Sequence, residues 1–232
     1  MHKTIYIQDK EVILTAEIVE KQDDCYLIEL SWTPDSFTFG EVLQSAGLTP
    51  LPPYIKRMAN AEDEETYQTV YSKNEGSVAA PTAGLHFTDG VFESLKQKNI
   101  HSLYTTLHVG AGTFMPVKSE TMDGHAMHAE MMSISIRFLE SLEKSMEGKI
   151  ISVGTTSART LESIYWMGNK ILNTPDIKEK DLKIQQWEPY EGQRRHDGKV
   201  AVVALRKWME ARNKTELSIE TQIIIAPGYE FG

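Results

Sequence analysis

Cysteine is nearly absent from this chain. Cys25 is the single one in 232 residues, which excludes an internal disulfide and a zinc site built on thiolates. No apolar run approaches the roughly 20 residues that cross a bilayer. The opening residues Met1–Tyr6 pass straight into an alternating strand pattern and hold no signal-like apolar segment. Internal repeats and low-complexity tracts are missing too. Basic charge is scarce: Lys and Arg number 24 against 33 Asp and Glu, a net charge of −9. That balance argues against non-specific nucleic-acid binding while leaving room for a local basic patch. Lys56-Arg57 and Arg194-Arg195 are the compact basic spots, read either as phosphate contacts or as solvated charge. These absences together lead us to expect a cytoplasmic protein, with no membrane partner. Cys25, in a strand-like run, is expected to be an inert, half-buried thiol.

What is present suits a globular chain, with 41% hydrophobic and 25% charged residues. Residues 4–7, 11–20 and 25–32 are β-branched and aromatic runs separated by polar turns, and predict a three-stranded meander. So small a sheet buries little by itself, so it is read as part of a small β-barrel domain. Phe39–Ala46 predicts a short helix stopped at Gly47. Pro50, Pro52 and Pro53 then force extended backbone, and the domain boundary is placed there: residues 1–49 as the partial barrel, 50–232 as an α/β catalytic-type domain. Helices are predicted over 61–72, 88–98, 135–147, 157–167 and 205–213. Strands are predicted over 103–109, 149–153, 200–204 and 219–225. This alternation predicts an α/β fold, α+β overall, with a mainly parallel sheet and flanking helices. Residues 169–199 read as an irregular, polar insertion.

Four of the seven histidines fall in three segments between residues 78 and 130 that are rich in Gly, Pro and Thr. In Thr106–Phe114 a strand ends at His108, and Gly110 and Gly112 open a loop whose amides can face a ligand; a tight turn capped by a histidine is the plainer reading. His125, His128 and Glu130 in His-Ala-Met-His-Ala-Glu suit a proton relay. Two histidines and a carboxylate also suit zinc, and ordinary surface histidines are the third possibility. In Val153–Thr160, Gly154 precedes a hydroxyl-rich helix start whose amides suit an anion, or an ordinary helix cap with Arg159 on the surface. Val78–Phe87 sets small residues beside His86.

Seven blocks in one order resemble the S-adenosylmethionine:tRNA ribosyltransferase-isomerases of queuosine biosynthesis. They are Pro50–Arg57, Tyr67–Tyr71, Val78–Phe87, Thr106–Phe114, His125–Glu130, Val153–Ser157 with Arg159–Glu162, and Pro227–Tyr229. The resemblance covers nearly the whole chain apart from about 169–218. It implies a β-barrel domain followed by an α/β domain. It further implies transfer and isomerisation of the ribosyl part of S-adenosylmethionine onto 7-aminomethyl-7-deazaguanine in tRNA, giving epoxyqueuosine with loss of adenine and methionine. No metal or cofactor is implied beyond S-adenosylmethionine as substrate.

Carried onto the matching positions, the resemblance implies His108, His125, His128 and Glu130 as proton carriers. Pro81, Thr82, Gly84, His86, Gly110, Gly112, Thr113, Phe114, Thr155, Thr156, Ser157 and Arg159 become substrate contacts, and Lys56 and Arg57 tRNA contacts. The family carries more sequence at both ends, so the chain is expected to be an internal piece or a shortened form. The alternative is a shortened, non-catalytic relative that binds tRNA or a nucleoside.

Overall fold

A computed structural model describes residues 1–22, 25–60, 62–73, 77–110, 112, 119–122, 124 and 127–232. The chain divides into two compact units, Met1–Thr49 and Pro50–Gly232.

In the first unit β1 (His2–Ile7), β2 (Lys10–Lys21) and β3 (Tyr26–Thr33) form an antiparallel meander in that order. Gln8 and Asp9 both take positive φ, 50° and 63°, which fits the tight two-residue hairpin between β1 and β2. Helix α1 (Phe39–Ala46) starts at a capping box: Glu41 N–H donates to the Thr38 hydroxyl, and Thr38 N–H donates back to the Glu41 carboxylate. Val42 of α1 and Phe37 close over Ile5, Ile7 and Val12. The same sheet face runs on past this small core. Its outer rungs Ala16–Leu30 and Ile18–Ile28 pair in register, but Ile18 is 66% exposed and Ile28 51%. Cys25 is exposed, not half-buried: it stands just before β3, whose own residues are exposed apart from Trp32.

The second unit is built on one long helix. Helix α2 (Asp63–Thr66) is a single turn, α3 (Asp89–Gln97) follows its N-cap Thr88, and Thr82–His86 is a 3-10 turn. Strands β4 (Thr106–His108), β5 (Glu130–Ser135) and β6 (Glu216–Thr221) form a sheet in that order, both pairings antiparallel. Helices α4 (Ile136–Ser145), α5 (Thr155–Asn173) and α6 (Gly198–Glu210) complete the unit. Met132 and Ile134 of β5 and Leu217 and Ile219 of β6 alternate inward and meet the apolar faces of these helices.

The mainly parallel sheet is not what forms. It required strands at 149–153 and 200–204, and neither is one. Residues 149–153 are irregular, with Ile151 82% exposed. Residues 200–204 lie in α6, where Asp197 caps the Val200 N–H and Ala201, Val202, Leu205, Trp208 and Met209 are buried at helical spacing. A short apolar run fits a strand and a buried helix equally well, and here the cap decides for helix. Parallel geometry survives as one bridge, Ile184 beside Thr221. The predicted helix over 61–72 shrinks to α2.

Helices α5 and α6 cross closely at Gly168, where a Cβ would collide with the backbone of Ala201. Backbone cannot swing aside as a flexible side chain can. Gly168→Ala is therefore expected to destabilise the protein by about 1–3 kcal/mol, the usual overpacking cost, despite alanine's better helix propensity. Denaturant unfolding checks this; an equal or higher midpoint would show that the crossing has slack.

Candidate active site

Helix α5 begins without a side-chain cap. Its N-cap is Gly154, at φ 88°, a conformation that favours glycine. The amides of Thr155, Thr156 and Ser157 thus open the helix with no capping side chain against them. A Cβ on Gly154 would lie 3.4 Å from the Cβ of Ala83, so the turn carrying Thr82, Gly84 and His86 abuts the start of α5. Gly84 is buried against the Tyr71 hydroxyl, which a Cβ there would displace. The Tyr71 ring belongs to a cluster with Phe92 and Tyr104, and Phe87 packs on Phe92. Pro81, Thr82 and His86 are exposed.

One turn into α5, Arg159 reaches the sheet. Its Nη1 donates to Glu130 at 2.8 Å and its Nε to the Ile223 carbonyl at 3.1 Å. Both side chains are largely buried, 12% and 8% exposed. Arg159 Nη2 is buried with no hydrogen-bond partner, the kind of orphan that stable cores avoid. Two residues before Glu130, ahead of β5, His128 is exposed. Its imidazole lies against Gly112: a Cβ there would sit 2.5 Å from two ring carbons. Met127, just before His128, is held by Gln186, which accepts its N–H at 2.9 Å.

A chain of contacts therefore joins the 81–86 turn, the 154–157 helix start, Arg159, Glu130, His128 and Gly112. His108 is not in it. It lies across from Met131, on the sheet face opposite Glu130, beside an open depression lined by Thr106, Ser133, Glu216 and Ser218. Gly110 is exposed. Ser77 ties its loop to the site-side turn by bonding both the Leu107 carbonyl and the Val109 N–H. His125, Thr113 and Phe114 lie outside the described residues. Arg57 is committed to a two-pronged pair with Asp63 at 2.7 and 2.5 Å, which holds that carboxyl at about 2; Lys56 is exposed. Among the described residues no group of three or more His, Cys, Asp or Glu is arranged to hold a metal ion, and no helix is long and apolar enough to cross a membrane.

Sequence reasoning overlooked the next turn of α5 as part of the site's support. Glu162 is buried and accepts from the Tyr229 hydroxyl at 2.6 Å and the Gly232 N–H at 3.1 Å, while Trp166 Nε1 donates to the same Tyr229 oxygen at 2.8 Å. Arg195 stacks on Tyr165 and Trp166 and bonds the carbonyls of Glu230 and Phe231. Burial pushes the Glu162 carboxyl above its ordinary 4.5, against those two donors. Burial and the adjacent carboxylate push the Tyr229 phenol up as well. The available signal was a glutamate set among the apolar positions of a predicted helix.

The sequence profile of a family described as "Queuosine biosynthesis protein" matches residues 1–232. The chain is 44% identical over 161 residues to the S-adenosylmethionine:tRNA ribosyltransferase-isomerase of Francisella philomiragia, covering 68% of this chain and 46% of that protein. It is 44% identical over 170 residues to the protein of the same name from Legionella pneumophila strain Corby, covering 72% and 48%. The counterpart in Francisella tularensis subsp. novicida is 40% identical over 161 residues, covering 68% and 46%. The matched region thus spans about half the length of these relatives. No solved structure matches.

Two outcomes test the support described here. Arg159→Met leaves Glu130 buried without its cation and is expected to cost about 3–5 kcal/mol; a loss below about 1 kcal/mol in denaturant unfolding would show that Glu130 finds a substitute. Glu162 holds its proton more tightly folded than unfolded, so its contribution is full below 4.5 and is lost as pH rises through the folded value. Relative to Glu162→Gln, the wild type should lose melting temperature steadily from about pH 4.5 upward. Parallel curves would contradict this.

Proposed function

The chain belongs to the queuosine biosynthesis protein family, and on that premise we propose that its reaction is the one its relatives are named for. The ribosyl part of S-adenosylmethionine is transferred to tRNA and isomerised. The acceptor in this reading is the aminomethyl group of 7-aminomethyl-7-deazaguanine, and the product is epoxyqueuosine.

The chemistry needs three services. A base must remove a proton at C5′ of the ribosyl unit, which the adjacent sulfonium acidifies. A proton must reach the departing adenine. The incoming amine must be held in line. His128 is the proton carrier in this proposal: it is exposed, and its ring is seated on glycine. The amides and hydroxyls of Thr155, Thr156 and Ser157 bind the methionyl carboxylate or the ribosyl hydroxyls. Thr82 and His86, held against Gly154 through Ala83, border the adenine or the deazaguanine. Lys56 offers its charge to the tRNA backbone, a role Arg57 is less suited to while it grips Asp63. No further cofactor takes part.

The observation that supports this most is the contact chain itself. Segments 71, 29 and 16 residues apart in sequence meet through Ala83 and Gly154, through Glu130 and Arg159, and through Gly112 and His128. Each pair joins two blocks of the family pattern. Packing alone would not require the joining residues to be glycine, histidine and a buried ion pair.

Calorimetric titration with S-adenosylmethionine should give saturable binding, and tRNA bearing the deazaguanine should then release adenine. His128→Ala should lower that turnover by about 100-fold or more, the scale of a lost general acid or base. A loss below about threefold would remove His128 from the mechanism.

A further inference from the structure

We infer that Gly112 and the Glu130–Arg159 pair are a mount for the His128 imidazole: Gly112 is its seat and not a substrate contact, and Glu130 is its anchor and not a second proton carrier. The inference rests on the proposed role of His128 and assigns its neighbours their work.

Start with the backbone. His128 stands between two fixed points. On one side Met127 is held at both ends of its peptide, its N–H donating to Gln186 at 2.9 Å and its carbonyl accepting from Gln222 at 3.5 Å. On the other, Glu130 enters β5 opposite Thr221, and its side chain is drawn to Arg159. Arg159 cannot drift, because its Nε is bonded to the Ile223 carbonyl beside the same strand. The main chain at residue 128 is therefore set from both sides.

The ring needs its own constraint, and Gly112 supplies it. A Cβ at Gly112 would lie 2.5 Å from Cγ and Cδ2 of His128 and 2.9 Å from Nδ1. Ring and peptide are in face contact, so any other residue at 112 would push the ring aside. Gly110, two positions earlier, has open space where its Cβ would go. The two glycines of one motif thus do different jobs. Glu130, for its part, is buried against a guanidinium. Its carboxylate is engaged by Arg159 and covered, whereas the His128 imidazole is open to a ligand. Fixing the orientation of a proton carrier matters because small misplacements cost rate steeply.

The test reads ring position and turnover together in the intact chain. The imidazole resonances of His128 are identified by their disappearance in His128→Ala. Gly112→Ala should move them and lower kcat by about 10- to 100-fold, with KM for S-adenosylmethionine little changed. Gly110→Ala should leave the resonances in place. Glu130→Gln keeps an oxygen for Arg159 Nη1, so it should hold the ring lines and retain turnover within about tenfold. Ring lines unmoved by Gly112→Ala would overturn the seat, even if His128→Ala proves His128 essential. A loss of about 100-fold or more in Glu130→Gln with unmoved ring lines would make Glu130 a proton carrier and overturn the anchor. If His128→Ala retains turnover, the proposed function of His128 fails and the mount has nothing to orient. Where Gly112→Ala does not fold, the wild type decides the seat, by the presence or absence of a nuclear Overhauser contact between the His128 ring protons and the Gly112 α-protons, and Glu130→Gln still decides the anchor.

Discussion

A helix enclosed on most sides that still carries charge must find a partner for every charged group, because each one left alone costs about 1–3 kcal/mol or more. Helix α5 is such a helix. Glu162, Ser163 and Asn169 are buried along it with Arg159 and Lys170 nearly so. The partners come from the rest of the unit: Glu130 from β5, Thr221 from β6, Tyr229 near the end of the chain, and the carbonyls of Asp181 and Lys183 for the Lys170 ammonium. Lys170 also pairs with Glu188 at 2.8 Å, and Asn169 accepts the His196 N–H. The polar stretch after α5 looks structureless in sequence, yet it is pinned onto the helix by these groups. Hydrophobic burial collapses the unit; the polar pairs choose which collapsed arrangement is native.

Much of the fold was legible where one cue decided it. The meander of the first unit follows from alternating β-branched runs and short polar turns, and α3 and α4 follow from their apolar stripes; α5 starts at Gly154 without the expected threonine cap and runs past 167 to Asn173, into the stretch read as irregular. The sheet direction was misread because it depended on runs with no periodic signature. Val200–Ala204 is apolar at every position, so only the Asp197 cap and the spacing out to Met209 reveal the helix. Once that strand and the one at 149–153 are gone, the strands that remain, β4, β5 and β6, pair antiparallel throughout.

The site was legible in its parts and not in its assembly. Glycine beside threonine before a helix marked residues 154–157, and paired histidines marked 125–130. Nothing local announced that Arg159 would reach back 29 residues to Glu130, or that one glycine of a pair would carry a ring and the other nothing. Nor could spacing reveal that His108 would take the far side of the sheet. In a three-residue strand, a one-position change of register reverses which face a side chain occupies.

The uncovered rungs of the first sheet bear on how the protein behaves in bulk. Ile18, Ile28 and Leu30 present a greasy ledge to water, on a chain whose net charge is −9. At neutral pH, repulsion between like-charged molecules keeps two ledges from meeting. Near the isoelectric point of about 5.3 that repulsion fades while the ledge is unchanged. Colloidal stability should be poorest there, and clouding in mildly acidic buffer would be a property of this ledge and not a sign of unfolding.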